Sequence, residues 1–340
     1  MTTAATRPAG RPPTLDGVRF VIYGAGAIGG VVGARLHQSG ADVMLIARGA
    51  HGDAIARDGL TLITPNERET LRIPVVSAPD EADIGEHDVV ILAMKSQDTD
   101  GALFRLRTVA PTVPVVMAQN GVANERAALR LFPDVYGAIV MTPTAHLEPG
   151  VVLAYAGEVT GRIDIGRYPT GVDARCEQVC AALAATRFLS TPRPDVMTHK
   201  HAKLIINLVN AVQAVCGLGD DTDELADRVR EEGRDILTAA GIAHDVGEVF
   251  DRSGRHESWK VADIPGYPRG GGSTWQSVTR GTPVESDFLN GEIVLQARLL
   301  GREAPINAAL QRLAQETVAG RHRPGWKSAA EVLELAATVG

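Results

Sequence analysis

Residues 18–48, VRFVIYGAGAIGGVVGARLHQSGADVMLIAR, contain the most informative pattern in the chain. Strand-forming residues at 18–23 run directly into the glycine-rich sequence GAGAIG at 24–29, and an apolar helical repeat follows. A second strand-forming run at 42–47 completes a β-α-β unit. A G-x-G-x-x-G motif alone is weak evidence, but this one follows a predicted strand and opens a predicted helix. The stretch therefore predicts a dinucleotide-binding unit, rather than a glycine-rich turn in some other α/β unit.

Each glycine of the motif has a separate expected role. Gly24 permits the tight turn, Gly26 lets the backbone approach a diphosphate, and Gly29 lets the helix pack closely on the strand. The diphosphate would lie at the start of the helix, where unpaired N–H groups and the helix dipole favour negative charge. We therefore expect Gly24, Gly26, Ala27, Ile28 and Gly29 to bind the cofactor.

The residue that ends the second predicted strand indicates which dinucleotide is bound. A site for NAD(H) usually places a carboxylate there to accept from the ribose 2′-hydroxyl. Here the strand ends at Arg48, whose planar guanidinium can donate to a 2′-phosphate. The alternative is an exposed surface arginine with no ligand. The sequence favours NADP(H) over NAD(H).

Composition limits the classes of protein that the chain can belong to. It has 340 residues, 44% of them hydrophobic, and a formal net charge of −7. This length predicts two domains with buried cores, and the charge gives no sign of a nucleic-acid partner. The three cysteines show neither a zinc pattern nor a disulfide framework, so we expect no metal site and a reducing cytoplasm. Residues 1–17 predict a disordered tail rather than a signal peptide, and no apolar run could span a bilayer.

Further apolar runs after Arg48 predict strands of a parallel sheet that is buried on both faces. These runs are at 73–77, 88–94, 113–118 and 138–142. Two later runs, at 151–154 and 162–165, are interpreted as strands that close the same sheet. The loops that leave two of the strands carry Lys95 and Asn120, and ligands of open α/β sheets bind outside such strand ends.

Prolines at 192 and 194 interrupt both helix and sheet and mark the expected domain boundary. One helix is predicted before them, at 174–185. After them the predicted helices are 199–215, 221–240, 242–253, 274–280, 283–300 and 306–319. The predicted fold class is therefore α/β, with an N-terminal Rossmann-type dinucleotide-binding domain at 18–191 and a C-terminal all-α domain at 192–340. The substrate is expected in the cleft between the domains.

The predicted helix 199–215 is apolar around most of its circumference but has one polar stripe. His199, Lys203, Asn207 and Asn210 follow each other at helical spacing. A buried polar stripe needs a partner, whereas a solvated stripe does not. A lysine on such a stripe can serve as a general acid, because burial lowers its pKa.

A second polar cluster contains Ser273 and Glu285. The sequence TPVE at 282–285 also matches a capping box, with the threonine as N-cap and Glu285 at the third helical position. From the residues alone, capping is favoured over a catalytic role for Glu285.

Residues 18–319 resemble the ketopantoate reductase family. The matching motifs are GAGAIGG at 24–30, Lys95 in MKSQDT, Gln119-Asn120-Gly121, Lys203 and Asn207 in KLIIN, and Ser273 with Gln276 followed by Glu285, Asp287 and Asn290-Gly291. Their order, and the interval from Ser273 to Glu285, make the match specific. The resemblance implies a Rossmann domain, a helical C-terminal domain and reduction of a 2-oxo acid with NADPH.

The resemblance also implies roles for individual residues. Lys203 would be the general acid that protonates the carbonyl oxygen. Glu285 would bind a distal hydroxyl of the substrate and hold Lys203 in place. Asn120 and Asn207 would orient substrate and nicotinamide, and Ser273 would contact the substrate carboxylate.

At the cofactor end, the resemblance places Arg48 at the 2′-phosphate and Lys95 near the dinucleotide. Two departures lie nearer the substrate. The family commonly has an asparagine where this chain has Ala211, and here Asn210 precedes it, so we expect Asn210 to contact the substrate. The family's usual Met-Leu-Gln-Asp reads TWQS at 274–277.

The sequence thus predicts an NADPH-dependent 2-oxo acid reductase, with ketopantoate first among its substrates. One alternative is a reductase of the same fold that acts on another ketone or an imine in a secondary pathway. Another is a nonenzymatic NADP(H) sensor that binds a protein partner, although the expected proton donor Lys203 argues against it. Neither nucleic acid nor membrane is expected as a partner, and the sequence leaves a homodimer open.

Overall fold

The computed structural model describes residues 17–244 and 260–339, so the predicted tail lies outside the described residues except for Gly17. The strands are β1 (Arg19–Tyr23), β2 (Asp42–Ile46), β3 (Leu60–Ile63), β4 (Arg68–Leu71), β5 (Val75–Val76), β6 (Asp88–Leu92), β7 (Val115–Met117), β8 (Val135–Met141), β9 (Thr144–Ala145), β10 (Val151–Ala154), β11 (Gly161–Arg167) and β12 (Phe188–Leu189). The helices are α1 (Ala27–Gln38), α2 (Gly49–Asp58), α3 (Thr99–Val109), α4 (Asn124–Leu129), α5 (Ala174–Ala184), α6 (Val196–Asn207), α7 (Val209–Cys216), α8 (Asp223–Ala239), α9 (Ser273–Thr279), α10 (Asn290–Leu299), α11 (Pro305–Ala319) and α12 (Ala329–Val339). None of the helices in these two described ranges is long and apolar enough to cross a membrane.

Eight strands form a large sheet in the order β12-β11-β8-β7-β6-β1-β2-β5. Neighbouring strands from β5 to β8 are parallel, and β11 is antiparallel to β8. The chain moves outward from β1 through β2 to β5 and then returns to β6 on the other side of β1. The carboxyl ends of β1 and β6 therefore flank the switch point at which open α/β sheets bind ligands.

The large sheet is buried on both faces because helices cover each of them. Successive side chains of β1 alternate between the faces. Phe20 and Ile22 therefore pack in one apolar cluster and Val21 packs in another, and all three are almost completely buried. The helices after residue 195 enclose a separate apolar core, which includes Leu208, Val229 and Leu310. This architecture confirms the predicted α/β fold class with a helical C-terminal region, while the predicted domain limits at 17, 191 and 340 remain predictions.

The six strand predictions from residue 18 to residue 142 are confirmed, with shifts of a few residues at their ends. The prediction that 151–154 closes the large sheet is wrong, since β10 belongs to a second sheet of order β4-β3-β10-β9. The hairpin of β3 and β4 was not predicted, and it supplies the parallel partner of β10, with Val152 opposite Leu62. One face of β10 packs against α1, where a Cβ atom added to Gly30 would be 2.7 Å from Val152 Cγ1.

Two helix predictions need correction. The predicted helix 199–215 is divided at Leu208 into α6 and α7, where the side-chain amide of Asn290 donates to the Leu208 carbonyl at 3.2 Å. A side chain that takes a ladder carbonyl is a common cause of such an interruption. The predicted helix 283–300 begins only at Asn290, because Pro283 and Glu285 contact the first domain instead. Most of the predicted helix 242–253 lies outside the described residues, and residues 242–244 are not helical.

Candidate active site

A cleft of about 1520 Å³ lies at the carboxyl ends of the parallel strands. Its walls come from the loops after β1, β2, β6 and β7 on one side and from α6, α8 and α9 on the other. Within the described part of the chain, nine lysine and arginine residues line the cleft, against three carboxylates. This surplus of positive charge suits an anionic ligand.

The glycine loop forms one end of the cleft. Gly24 has a φ of +98°, and a Cβ atom there would be 2.8 Å from the Met94 nitrogen. A Cβ atom at Gly29 would be 2.1 Å from the Gly24 oxygen, so no side chain fits between helix and strand. A Cβ atom at Gly26 would meet no atom within 4 Å. Gly24 and Gly29 are therefore required for packing, whereas Gly26 leaves the cleft face of the loop uncovered.

The amino end of α1 faces the same part of the cleft. The helix begins at Ala27 with Gly26 as its N-cap residue, and glycine has no side chain to cap the free N–H groups. Ala27 and Ile28 line the cleft, whereas Gly29 lies behind them against β1. Free N–H groups and the positive end of the helix dipole attract anions. The residues present therefore fit the diphosphate of a dinucleotide.

Arg48 follows β2 at the edge of the cleft and is exposed. Within residues 17–244 and 260–339 its side chain has no hydrogen-bond partner, whereas nearby Arg105 pairs with Asp80 at 2.8 Å. Both guanidinium groups are close enough to lower the pKa of Tyr23, which burial raises. Arg48 is therefore available to a ligand at the position where a dinucleotide 2′-group is expected.

Lys203 is the central polar residue of the opposite wall. Its Nζ donates to Asn120 Oδ1 at 2.9 Å and to the main-chain oxygen of Val140. Asn207 donates to the same Asn120 oxygen at 3.4 Å. The structure thus brings together three of the residues that the sequence predicted for substrate and proton: Asn120, Lys203 and Asn207.

The environment of Lys203 favours release of its proton near neutral pH. Burial, and after it the positive charge of Lys200, lower its pKa to about 7, whereas the carboxylate of Glu285 opposes the change. A lysine with this pKa is a competent proton donor at physiological pH.

Glu285 also lies in the cleft, with its Oε1 accepting from the Ser96 N–H at 3.0 Å. The predicted capping box is wrong, since no α-helix starts at Pro283 and Glu285 makes no capping contact. Burial raises the pKa of Glu285, while the Ser96 N–H and the charges of Lys95 and Lys203 oppose this change.

Lys95 connects the loop after β6 to the helical region. Its Nζ donates to Ser277 Oγ at 2.8 Å and to the Pro283 carbonyl at 2.6 Å. Burial lowers its pKa, and the nearby carboxylate of Glu285 raises it. Lys95 thereby holds together the two segments that carry Ser96 and Glu285.

Asn210 and Ser273 form a further part of the cleft wall. Asn210 Nδ2 is 3.4 Å from Ser273 Oγ. Ala211, the position at which the resemblance implies asparagine, is 1% exposed and packs in the helical core. The amide that lines the cleft thus comes from residue 210 in this chain.

His199 does not join the cleft, contrary to the predicted stripe. It is buried, and its Nε2 lies 3.3 Å from Asp195 Oδ1. Each step of four residues turns the helix about 40° past a full turn, so residues at this spacing drift around it. Lys203, Asn207 and Asn210 share the cleft face, while His199 has rotated away from it.

Two groups of polar residues near the cleft were not predicted. Lys200, on the same turn as Lys203, forms a buried ion pair with Glu125. His51 donates from Nε2 to the Ala25 carbonyl at 2.7 Å, while its Nδ1 accepts from Gly150 N–H at 2.9 Å. Burial lowers the pKa of His51 to about 4, so a neutral ring that also lines the cleft holds the Ala25 carbonyl of the glycine loop. No local sequence signal marks either group, because every partner is distant in the chain.

The sequence matches the family described as "Ketopantoate reductase PanE/ApbA" over residues 20–170, and the C-terminal domain of that family over residues 195–318. A relative from Pyrococcus horikoshii named 2-dehydropantoate 2-reductase is 31% identical over 318 residues, covering 89% of this chain and 99% of the relative. One of the same name from Archaeoglobus fulgidus is 29% identical, covering 89% of this chain and 98% of the relative.

Solved structures agree with the fold. A PanE/ApbA family ketopantoate reductase from Ralstonia eutropha superposes with a TM-score of 0.72 at 26% identity, covering 90% of this chain and all of the other. A D-mandelate dehydrogenase crystallised with NADH and anilino(oxo)acetate has a TM-score of 0.73 at 20% identity, covering 90% and 99% of the two chains, and shares the fold.

The glycine loop, the switch-point cleft and these relationships define a dinucleotide-dependent oxidoreductase. Within that class, the chain belongs to the ketopantoate reductase PanE/ApbA family.

Proposed function

We propose that this oxidoreductase reduces a 2-oxo acid to the 2-hydroxy acid with NADPH, and that ketopantoate (2-dehydropantoate) is its preferred substrate. The proposal rests chiefly on Lys203, whose pKa is about 7 and whose Nζ is held by Asn120 in the cleft that also contains the glycine loop. The names of the relatives from Pyrococcus and Archaeoglobus support the choice of substrate.

The preference for NADP(H) is inferred from Arg48, an unpaired guanidinium within the described residues at the end of β2. Gly24, Gly26, Ala27 and Ile28 would hold the diphosphate, with Gly29 packed behind them, and Lys95 and Asn120 would lie nearer the nicotinamide. A reduced nicotinamide dinucleotide supplies the hydride when it is bound, and the protein supplies position and the proton.

Lys203 is the proposed proton donor. Two of its acceptors are protein oxygens, those of Asn120 and Val140, which leaves one N–H of the ammonium for the carbonyl oxygen of the substrate. Proton transfer leaves a neutral amine, which burial of the side chain favours over the ammonium. Asn207 steadies the shared Asn120 amide and would orient the substrate beside it.

The remaining cleft residues would recognise the two ends of the substrate. Ser273 and Asn210 offer a hydroxyl and an amide to the carboxylate. Glu285 uses Oε1 for Ser96, so its second oxygen would accept from a distal hydroxyl. A ligand with a carboxylate, an adjacent carbonyl and a hydroxyl suits this arrangement.

The test follows NADPH absorbance with a panel of ketopantoate, other 2-oxo acids, ketones without a carboxylate, and a cyclic imine. We expect the highest kcat/KM with ketopantoate and lower values with NADH than with NADPH. A higher value for an imine or a simple ketone would contradict the proposed substrate class. NADPH binding without turnover of any compound would instead support a nonenzymatic sensor.

A further inference from the structure

The most deeply buried ion pair near the cleft does not line it. The side chains of Lys200 and Glu125 are 3% and 0% exposed, and Lys200 Nζ donates to Glu125 Oε1. Within the described residues, the second carboxylate oxygen of Glu125 has no hydrogen-bond partner. Burying two charges is costly, and such a pair is weak evidence for stability. The contacts of the pair indicate a role other than stability.

Lys200 contacts the loop that carries Asn120. Its Nζ donates to the Gln119 carbonyl at 3.1 Å. The next carbonyl, that of Asn120, accepts from Asn124 Nδ2 at 3.0 Å. Two consecutive carbonyl groups are therefore held by side chains behind the loop. With the backbone fixed in this way, the Asn120 side chain points towards Lys203.

A single helical turn thus holds this loop at two points. Lys200 and Lys203 are three residues apart on α6, and residues at this spacing are neighbours on the helix surface. Lys200 binds the main chain of residue 119, and Lys203 binds the side chain of residue 120. A rotation of the 119–120 peptide would move the acceptor of Lys203 without disturbing the glycine loop.

We propose that Lys200 and Glu125 are positioning residues, which fix the Gln119–Asn120 loop so that Asn120 holds Lys203 in the orientation needed for proton transfer. This inference rests on the proposed function, since it assigns proton transfer to Lys203. It implies a loss in the chemical step that is larger than any loss of dinucleotide binding, because the glycine loop is not touched. The charge of Lys200 also acts on Lys203 directly, because it is one of the causes that lower the pKa of Lys203.

The first test is the double variant Lys200→Met/Glu125→Gln, which removes both charges and leaves neither buried alone. We expect kcat to fall roughly 10–100-fold, the usual effect of a small misplacement of a catalytic group. The Kd for NADPH should change much less than kcat, because the glycine loop that would hold the diphosphate is not touched. The alkaline limb of the kcat profile should move to higher pH, since the repulsion by Lys200 is lost.

A matched control is the ion pair of Arg19 and Asp88, joined at 2.6 Å at the amino ends of β1 and β6. This is the edge of the sheet opposite the cleft. Arg19→Met/Asp88→Asn should lower Tm while kcat and its pH profile stay as in the wild type. A double variant at 200 and 125 that behaves like this control, with lower Tm and unchanged kinetics, would overturn the proposal.

A second measurement does not depend on turnover. The pH dependence of acetylation of Lys203 by acetic anhydride, read by mass spectrometry, reports its pKa in the wild type and in the double variant. We expect the Lys203 titration to move to higher pH and hydrogen exchange in residues 118–124 to accelerate. If the wild type reduces no 2-oxo acid, the proposed function fails, and these two readouts still decide the role of Lys200 and Glu125. Identical titration and exchange in both proteins would refute it.

Discussion

Replacing Glu285 with glutamine separates a catalytic role from a structural one. The carboxylate lies in the cleft, accepts from the Ser96 N–H at 3.0 Å and raises the pKa of Lys203 through its charge. Glutamine keeps the shape and can still accept from Ser96 through its amide oxygen. It would lose the proposed charge-assisted contact with a substrate hydroxyl, and it would no longer stabilise the ammonium of Lys203.

The expected kinetic effect follows from the loss of that contact. A hydrogen bond to a charged group is worth about 1.5–3 kcal/mol, which corresponds to about 10–150-fold in kcat/KM. Because Lys203 loses an attractive charge, its pKa should fall, and the alkaline limb of the kcat/KM profile should move to lower pH.

The stability of the Glu285→Gln variant should not fall, although its activity does. Burial raises the pKa of Glu285 in the folded protein above its unfolded value. The folded state therefore binds this proton more tightly, and stability falls as pH rises between the two pKa values. At neutral pH the wild type bears this cost and the glutamine variant does not, so Tm should stay constant or rise.

The assay pairs Tm with kcat/KM on the same protein, and Asp287→Asn is the control. Asp287 is exposed, two residues further along the same turn, and contacts Gln311 and Gln315 outside the cleft. That variant should keep wild-type kinetics. Unchanged kcat/KM in Glu285→Gln, or a lower Tm at neutral pH, would refute the assigned role.

Three further predictions concern the cofactor and the proton donor. Arg48→Asp should weaken NADPH far more than NADH, because a cation is replaced by a repelling anion; an unchanged ratio of kcat/KM values would make Arg48 a surface residue. Lys203→Ala should cut turnover roughly 10²–10⁴-fold with NADPH binding retained. In the wild type, turnover should fall as pH rises through about 7, where Lys203 loses its proton. Retained turnover in the variant would exclude Lys203 as the donor. Gly29→Ala should destabilise the fold by about 1–3 kcal/mol through overpacking against the Gly24 oxygen. Gly26→Ala should keep Tm, because its Cβ would meet no protein atom, and it should raise the Kd for NADPH, because that Cβ would lie on the cleft face of the loop. Equal Tm values for the two alanine variants would contradict the assignment of Gly29 to packing and of Gly26 to the ligand.

Much of the first half of the fold could be predicted because its signals are local. A strand buried on both faces needs apolar residues at successive positions, and DVVIL at 88–92 shows this without any knowledge of its neighbours. The glycine motif carries its own backbone geometry, as the φ of +98° at Gly24 illustrates. The alternating, partly polar strands β3 and β4 lack such a signal, so the second sheet was missed.

The capping prediction for Glu285 failed for a different reason, because a tertiary contact overrides a strong local signal. Its local sequence matches a helix cap well, but its partner Ser96 is 189 residues away in the chain. Local propensity decides only where no tertiary contact competes with it. Here Lys95 binds the Pro283 carbonyl and Ser96 binds the carboxylate, so these residues remain non-helical and turn towards the cleft. A cleft role for Glu285 was implied only by the family resemblance, which reflects tertiary contacts that a single sequence does not show.

The charge of the cleft illustrates the same limit. The chain has a net charge of −7, yet its cleft has nine lysine and arginine residues against three carboxylates within the described ranges. Net charge governs solubility and long-range association, whereas a cleft with low-dielectric walls focuses the field of its own residues. An anionic dinucleotide and a 2-oxo acid would offset much of this positive charge. Their binding would therefore favour the protonated form of Lys203, so the proton donor would be most fully protonated when cofactor and substrate are both bound.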